Sequence, residues 1–310
     1  MPHEQIRRIL VGVELGPRAS RVTAGSQCAA EEAAWLARRV GAEVVFLHST
    51  VGDEVFDPLT ASASIVSLGA TPEGRKALEG VVEQAGAQGV QARLEISEER
   101  PEFALTRRVL RGGVDLVVIG KRNEPGEDGR RLGSIAGKLM RKCPGPVWVV
   151  PPLPGVDRGP VLAATDLGEV GTQVLRMAAW LARQREIALH VVHAYQMPFE
   201  LIHEAARIPQ DEHRQHLVEL RARSEAAVRA QLAGLELPPT VELHVGCTSP
   251  ERGIQAAIEL VRPALLVMGT ASKGGIAGLL WGNTAERLLP RVDCSILTVK
   301  PDDFVSPIEA

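Results

Sequence analysis

Aromatic residues make up only 3% of the 310-residue chain, too few for the stacking surfaces of single-strand nucleic-acid binders. Charge of one sign is lacking too. The 35 Lys and Arg stand against 38 Asp and Glu, so no positive field advertises a nucleic-acid partner. Cysteine is scarce: Cys28, Cys143, Cys247 and Cys294 form no CxxC pair. That sets aside zinc ribbons and dithiol redox motifs and makes reduced thiols the expectation. No stretch approaches the ~20 apolar residues of a membrane span. The apolar run 9–13 is too short for a signal peptide and is cut by Glu14. A cytoplasmic protein with no membrane span is expected. Several chemical motifs are missing as well. There is no Walker A GxxxxGK(S/T), no GxGxxG after the first strand, no GxSxG elbow and no HExxH.

What the chain does contain is a repeat. Residues 33–38 read AAWLAR, and residues 178–183 read AAWLAR again. Gly120 is followed thirteen residues later by Gly133-Ser134, and Gly269 by Gly282-Asn283, an offset of 149. Two matches in one order at nearly one offset indicate an internal duplication. Each half is then about 150 residues, a common domain size, and must bury its own core. The hydrophobic share of 45% is enough for that. The stiff Pro-rich stretch 151–155 divides the chain into domains 1–153 and 154–310.

Each half alternates short apolar runs with helix-patterned stretches. The runs 9–13, 44–47, 92–96, 116–119 and 147–150 predict strands in the first half. The runs 161–164, 189–192, 241–245, 265–268 and 296–299 predict them in the second. Helices are expected over 27–40, 72–86, 103–110 and 135–141, then 173–183, 211–232, 252–260 and 284–289. This alternation argues for parallel βαβ units with right-handed crossovers. Continuously apolar strands suit a sheet covered on both faces.

In both halves the fourth strand ends in a glycine that opens a spaced loop. Gly269, Ser272, Gly282, Asn283 and Thr284 mark it in the second half, and Gly120, Asn123, Gly133 and Ser134 in the first. The spacing resembles the Gly-x2-Gly-x9-Gly-(Ser/Thr) loop of the universal stress protein family. The run 282–286, then 299–302 with Phe304, resembles the tandem-domain members of that family. Asp166, Leu175, Ala178, Leu181 and Ala182 fall at family-like spacings.

The resemblance implies two tandem α/β domains. Each would be a five-stranded parallel sheet of order 3-2-1-4-5 with helices on both faces. The domains would pair as an intramolecular pseudo-dimer through the terminal strands 147–150 and 296–299, with a further homodimer open. It also implies an adenine nucleotide site for ATP with little or no turnover. An acid ending the first strand would lie near the adenosine, and the glycine loop would hold the phosphates. Those roles fall to Asp166, Gly269, Gly282 and Asn283, and in the first half to Glu14, Gly120, Gly133 and Ser134. A loop of this kind suits anions because glycine permits close approach and a helix start offers free amides.

Both copies depart from the pattern at the middle glycine, which is Asn123 in one and Ser272 in the other. The second loop carries only Lys273 as a charge, so the second half is the stronger candidate. Two functional readings therefore stand: a nucleotide-binding stress regulator, or a nucleotide-free regulator acting through protein partners. Ser134 and Asn283 are equally open to a role as N-caps, Asn283 with Glu286 in a capping box. Asp166 and Glu14 are open to capping or solvated roles. His190, His193, His203, His213 and His216 cluster in sequence, but no spacing fixes a third ligand. No metal is expected beyond one accompanying a nucleotide.

Overall fold

The computed structural model describes residues 6–16, 21–51, 71–121, 133–152, 159–195, 210–270 and 282–310, with the side chains of 210–213 excepted. They form two compact units. One contains the chain up to 152 together with the tail from 290 onward, and the other contains 159–270 and 282–289.

The first unit contains β1 (Arg8–Val13), α1 (Ala24–Val40), β2 (Glu43–Ser49), α2 (Pro72–Ala87) and β3 (Ala92–Ser97), then α3 (Pro101–Leu110), β4 (Leu116–Gly120), α4 (Ser134–Lys142) and β5 (Val147–Val150). The strands stand in the order β3-β2-β1-β4-β5, all parallel, as the family resemblance implies. Apolar runs explain why these segments extend. All four residues of β5 are buried, and Trp148 is 1% exposed. Two helices of this unit start where a short polar side chain accepts an orphan amide. Thr23 accepts from the Ser26 amide, and Thr71 accepts from the Gly74 amide with Pro72 next in the chain. Helix α1 ends at Gly41 in the left-handed region, at φ 72°, where glycine is favoured. α1 and α2 pack together on one face of the sheet, α3 and α4 on the other.

The second unit repeats the scheme with β6 (Val161–Ala164), α5 (Glu169–Arg185), β7 (Leu189–Tyr195), α6 (Gln210–Leu232) and β8 (Val241–Cys247), then α7 (Pro250–Val261), β9 (Leu265–Gly269) and α8 (Asn283–Leu288). Its parallel order is β8-β7-β6-β9. α5 packs with α6, and α7 packs with α8.

The last strand, β10 (Ser295–Val299), runs antiparallel to β5, with Ile296 opposite Val149 and Thr298 opposite Val147. This is the pairing of terminal strands expected from the sequence, and it covers an edge that would otherwise expose unpaired backbone.

In both units the chain leaves the first strand toward one side and returns to its other side at the fourth. The carboxyl ends of β1 and β4, and of β6 and β9, therefore flank a crevice of the kind where open α/β sheets bind ligands.

Candidate functional site

In the second unit Ala164 pairs with Met268, so the chains continue side by side from Thr165-Asp166 and from Gly269-Thr270. Sequence reasoning thus names two walls of one crevice. Asp166 is exposed, and its Oδ1 accepts the Gly168 amide at 2.9 Å, an Asx-type turn just before α5. The N-cap of α5 is Gly168, so Asp166 shapes the entry to the helix without capping it. Leu167 between them sits at φ 62°.

This turn is clamped from three sides. Thr165 Oγ1 donates to Gln231 Oε1 at 2.8 Å and accepts the Leu167 amide at 3.1 Å. Gln231, on α6, donates through Nε2 to the Gly168 carbonyl at 3.1 Å and to Thr172 Oγ1 at 2.9 Å. His193 Nδ1 lies 2.9 Å from the Thr165 carbonyl. A carbonyl only accepts, so Nδ1 carries the proton. Gly171 leaves room for all this, because a Cβ there would fall 2.5 Å from Thr165 Oγ1 and 2.8 Å from Asp166 Oδ1.

Across the crevice, Gly269 is held to glycine by packing: a Cβ would come within 2.7 Å of Val170 Cγ1 on α5. The Gly282 amide donates to the Thr270 carbonyl at 2.9 Å, which brings the two ends of the loop together. Gly282 is therefore the latch of the loop, and its N–H is spent inside the protein. It is also the N-cap of α8, with no side-chain cap bond. This corrects the capping-box reading: Asn283 is the first helical residue, exposed, followed by half-buried Thr284. Ser272 lies outside the described residues. Thr270 is fully buried, and its hydroxyl has no hydrogen-bond partner among the described residues.

The first unit places its counterparts alike. Gly12 pairs with Ile119, which sets Glu14, half-buried, and Lys121, buried, just beyond the strand ends. The Glu14 amide donates to Ser26 Oγ at 2.8 Å, and its carbonyl accepts the Thr23 amide at 2.9 Å. Gly120 abuts the α1 backbone at Gly25, and a Cβ on Gly25 would lie 2.5 Å from the Lys121 carbonyl oxygen. Gly133 is the N-cap of α4, without a side-chain cap bond, and Ser134 is its exposed first residue, which likewise removes Ser134 as a cap. Asn123 lies outside the described residues. Lys121 is 3% exposed, and its Nζ donates to the Val292 carbonyl at 2.9 Å. Burial pulls its ammonium below the usual lysine range, against the pull of Asp293 and Cys294.

Sequence reasoning missed the roles of Thr165, Gln231, Thr270 and Lys121, and it assigned His193 no partner. His48 Nδ1 lies 2.9 Å from the Val13 carbonyl, the same bond that His193 makes to Thr165. Positions 48 and 193 differ by 145, the offset of the repeated AAWLAR, so that signal was present in the sequence.

Comparison with known proteins agrees with this architecture. The profile of the Universal stress protein family matches residues 5–151 and 158–300. The chain is 27% identical to universal stress protein E of Escherichia coli strain K12 over 86% of this chain and 90% of that protein. It is 28% identical to universal stress protein E of Photorhabdus laumondii over 68% and 69%. Among solved structures, a functionally unknown protein from Pseudomonas aeruginosa PAO1 aligns with TM-score 0.68 at 20% identity, covering 97% of this chain and 95% of that one. A universal stress protein from Archaeoglobus fulgidus aligns with TM-score 0.66 at 16% identity, over 96% and 99%. Among the described residues, no helix is long and apolar enough to cross a membrane.

Proposed function

This chain belongs to the Universal stress protein family, and from that premise we propose that its second half binds an adenine nucleotide, ATP, with little or no turnover. The observation that carries the reading is the crevice between β6 and β9. Asp166 stands on one wall, and Gly269-Thr270, joined to Gly282 through the Gly282 amide, stands on the other. The carboxylate of Asp166 is exposed for a ribose or adenine, and its turn is held rigid by Gln231 and His193. Gly269 and the first amides of α8, at Asn283 and Thr284, offer the phosphate subsite, with Ser272 in the loop between them. A cation here would arrive with the nucleotide. In the same reading the first half is the weaker site. Glu14, Gly120, Asn123, Gly133 and Ser134 repeat the pattern, but Lys121 spends its ammonium on Val292.

A second reading is a nucleotide-free regulator acting through protein partners. It is favoured by Asn123 and Ser272, which stand where the family loop has its middle glycine.

Isothermal titration of the full chain with ATP and magnesium separates the two. We expect one saturable site that is weakened at least tenfold in Asp166→Ala, equivalent to about 1.4 kcal/mol or more. Absence of saturable heat at millimolar nucleotide overturns the ATP reading and leaves the second.

A further inference from the structure

We propose that His190, Glu242 and His244 form a binding site for a divalent transition-metal ion, with zinc the type their donors fit best. The site lies apart from the nucleotide crevice. His190 is the second residue of β7 and Glu242 the second of β8, so both stand near the amino ends of the strands, whereas the crevice is at the carboxyl ends.

Register creates the cluster. His190 pairs directly with Glu242 across β7 and β8, and His244, two residues on, shares the face of Glu242. His190 Nδ1 lies 2.9 Å from His244 Nε2 and 3.7 Å from a Glu242 oxygen. One donor atom from each residue lies within 4.8 Å of the others. Tetrahedral zinc, with bonds of about 2.0–2.2 Å, sets its ligand atoms about 3.3 Å apart. The observed separations bracket that value, so small rotations of side chains would admit the ion. The two imidazoles stack at 5.2 Å with their planes 11° apart. Two imidazoles and one carboxylate are a borderline donor set suited to zinc, and they leave a fourth position for water or another ligand.

The first unit supplies the contrast. Its equivalent positions, by the offsets of 145 and 149, are Val45, Arg93 and Glu95. There Arg93 pairs with Glu43 at 2.7 Å and with Glu95 at 2.8 Å, and Arg108 reaches Glu95 at 3.2 Å. An ion-pair network occupies the place, and Ala257 on α7 stands where α3 has Arg108. The second unit has exchanged both guanidinium groups for metal-type donors or for space.

The test is zinc titration of the chelator-stripped full chain, without nucleotide, against a competing indicator dye. Cobalt substitution would report coordination by visible absorption. We expect one zinc equivalent that is lost in His190→Ala and in His244→Ala. Each loss should be at least the ~10–100-fold that removing even an outer-shell partner costs. Glu242→Gln, at an exposed carboxylate, should weaken binding by a smaller factor with an unchanged circular dichroism spectrum. His216→Ala and Cys247→Ser should leave it unchanged. Cys247 is three residues past His244 and therefore faces the other side of β8. No saturable zinc binding, or binding of wild-type strength in the His190→Ala/His244→Ala double variant, overturns the proposal.

Discussion

Where the fourth strand of the first unit ends, the chain buries Lys121. At the matching place in the second unit it buries Thr270. The lysine is committed to the Val292 carbonyl, whereas the threonine hydroxyl has no partner among the described residues. A buried, unmade hydroxyl bond costs about 1–3 kcal/mol, so such groups call for an explanation. A guest in the crevice beside it is one. The same division recurs in the turns after the first strands. In the first unit Ser26 of α1 holds the Glu14 amide. In the second, Gly171 stands at that position in α5, and Gln231 from α6 does the holding. One scaffold thus carries two differently filled crevices. At the first, Lys121 spends its charge on the Val292 carbonyl; at the second, the described residues at the strand ends are the neutral Thr165, Gly269 and Thr270 with the exposed carboxylate of Asp166.

The largest expected effect tests how tightly each unit closes its fourth strand. In the first, Gly120 meets the backbone of Gly25, which cannot rotate away; in the second, Gly269 meets the side chain of Val170, which can. Gly120→Ala should therefore destabilise its unit by about 3 kcal/mol or more, and Gly269→Ala by about 1–3 kcal/mol. Val170→Ala should rescue Gly269→Ala, and nothing on α1 can rescue Gly120→Ala, since residue 25 is already glycine. Urea unfolding of Gly120→Ala, Gly269→Ala, Val170→Ala and the Val170→Ala/Gly269→Ala double variant checks this, and equal losses at the two glycines would remove the distinction.

The next effect is in pH. The first unit buries a second ammonium, Lys300, which is 6% exposed, with Nζ 3.4 Å from the Arg141 carbonyl and 4.3 Å from the centre of the Phe304 ring. Burial lowers its pKa from 10.5 to about 8, partly offset by Cys143. Between those values the unfolded chain holds more protons than the folded one, so stability rises with pH across the window. The rise is worth up to about 3 kcal/mol. Cys143 acts oppositely. Burial pushes its thiol from 9.0 up to about 12, so stability falls as pH climbs above 9.0. Lys300→Met deletes the first contribution and, by removing the cation that pulls the Cys143 thiol down, lets the second act slightly more strongly above pH 9.0. The difference between variant and parent should favour the variant below pH 8 and shrink to its minimum by pH 10.5. Thermal melts at a series of pH values give that difference, and a flat difference curve would show that Lys300 is not buried as a cation.

The parallel βαβ units were legible because apolar runs and helix patterns alternate, and the paired AAWLAR segments fixed the period; the strand order itself came from the resemblance to the universal stress protein family. The glycines of the loop were legible as positions but not as roles. Gly269 answers to Val170 and Gly120 to Gly25, contacts between segments roughly a hundred residues apart that no local pattern encodes. Gly282 proved to be a latch and a cap, because its amide reaches back to Thr270. His190 and His244 were beyond reach for a different reason. They are neighbours only through the register of β7 and β8, with α6 intervening in sequence. The bonds of His48 and His193 were within reach, since their spacing matches the repeat.

The smallest effect bears on the contrast between Lys121 and Thr270 itself. Thr270→Val keeps the shape and removes the hydroxyl. If that group is unpaired in the free protein, the variant should be unchanged or more stable by about 1 kcal/mol. Thr106, on α3, is an internal standard: it is fully buried, its hydroxyl also lacks a partner among the described residues, and it belongs to the first unit, not to the β6–β9 crevice. Thr106→Val should show the same small gain. The two should part company when nucleotide is added. Saturating ATP should raise the melting temperature of Thr106→Val as much as that of the parent, but that of Thr270→Val less, because only Thr270 borders the crevice. An equal rise in both would assign the Thr270 hydroxyl to packing alone, and the two units would then differ in how they fill the strand end without differing in what that end can bind.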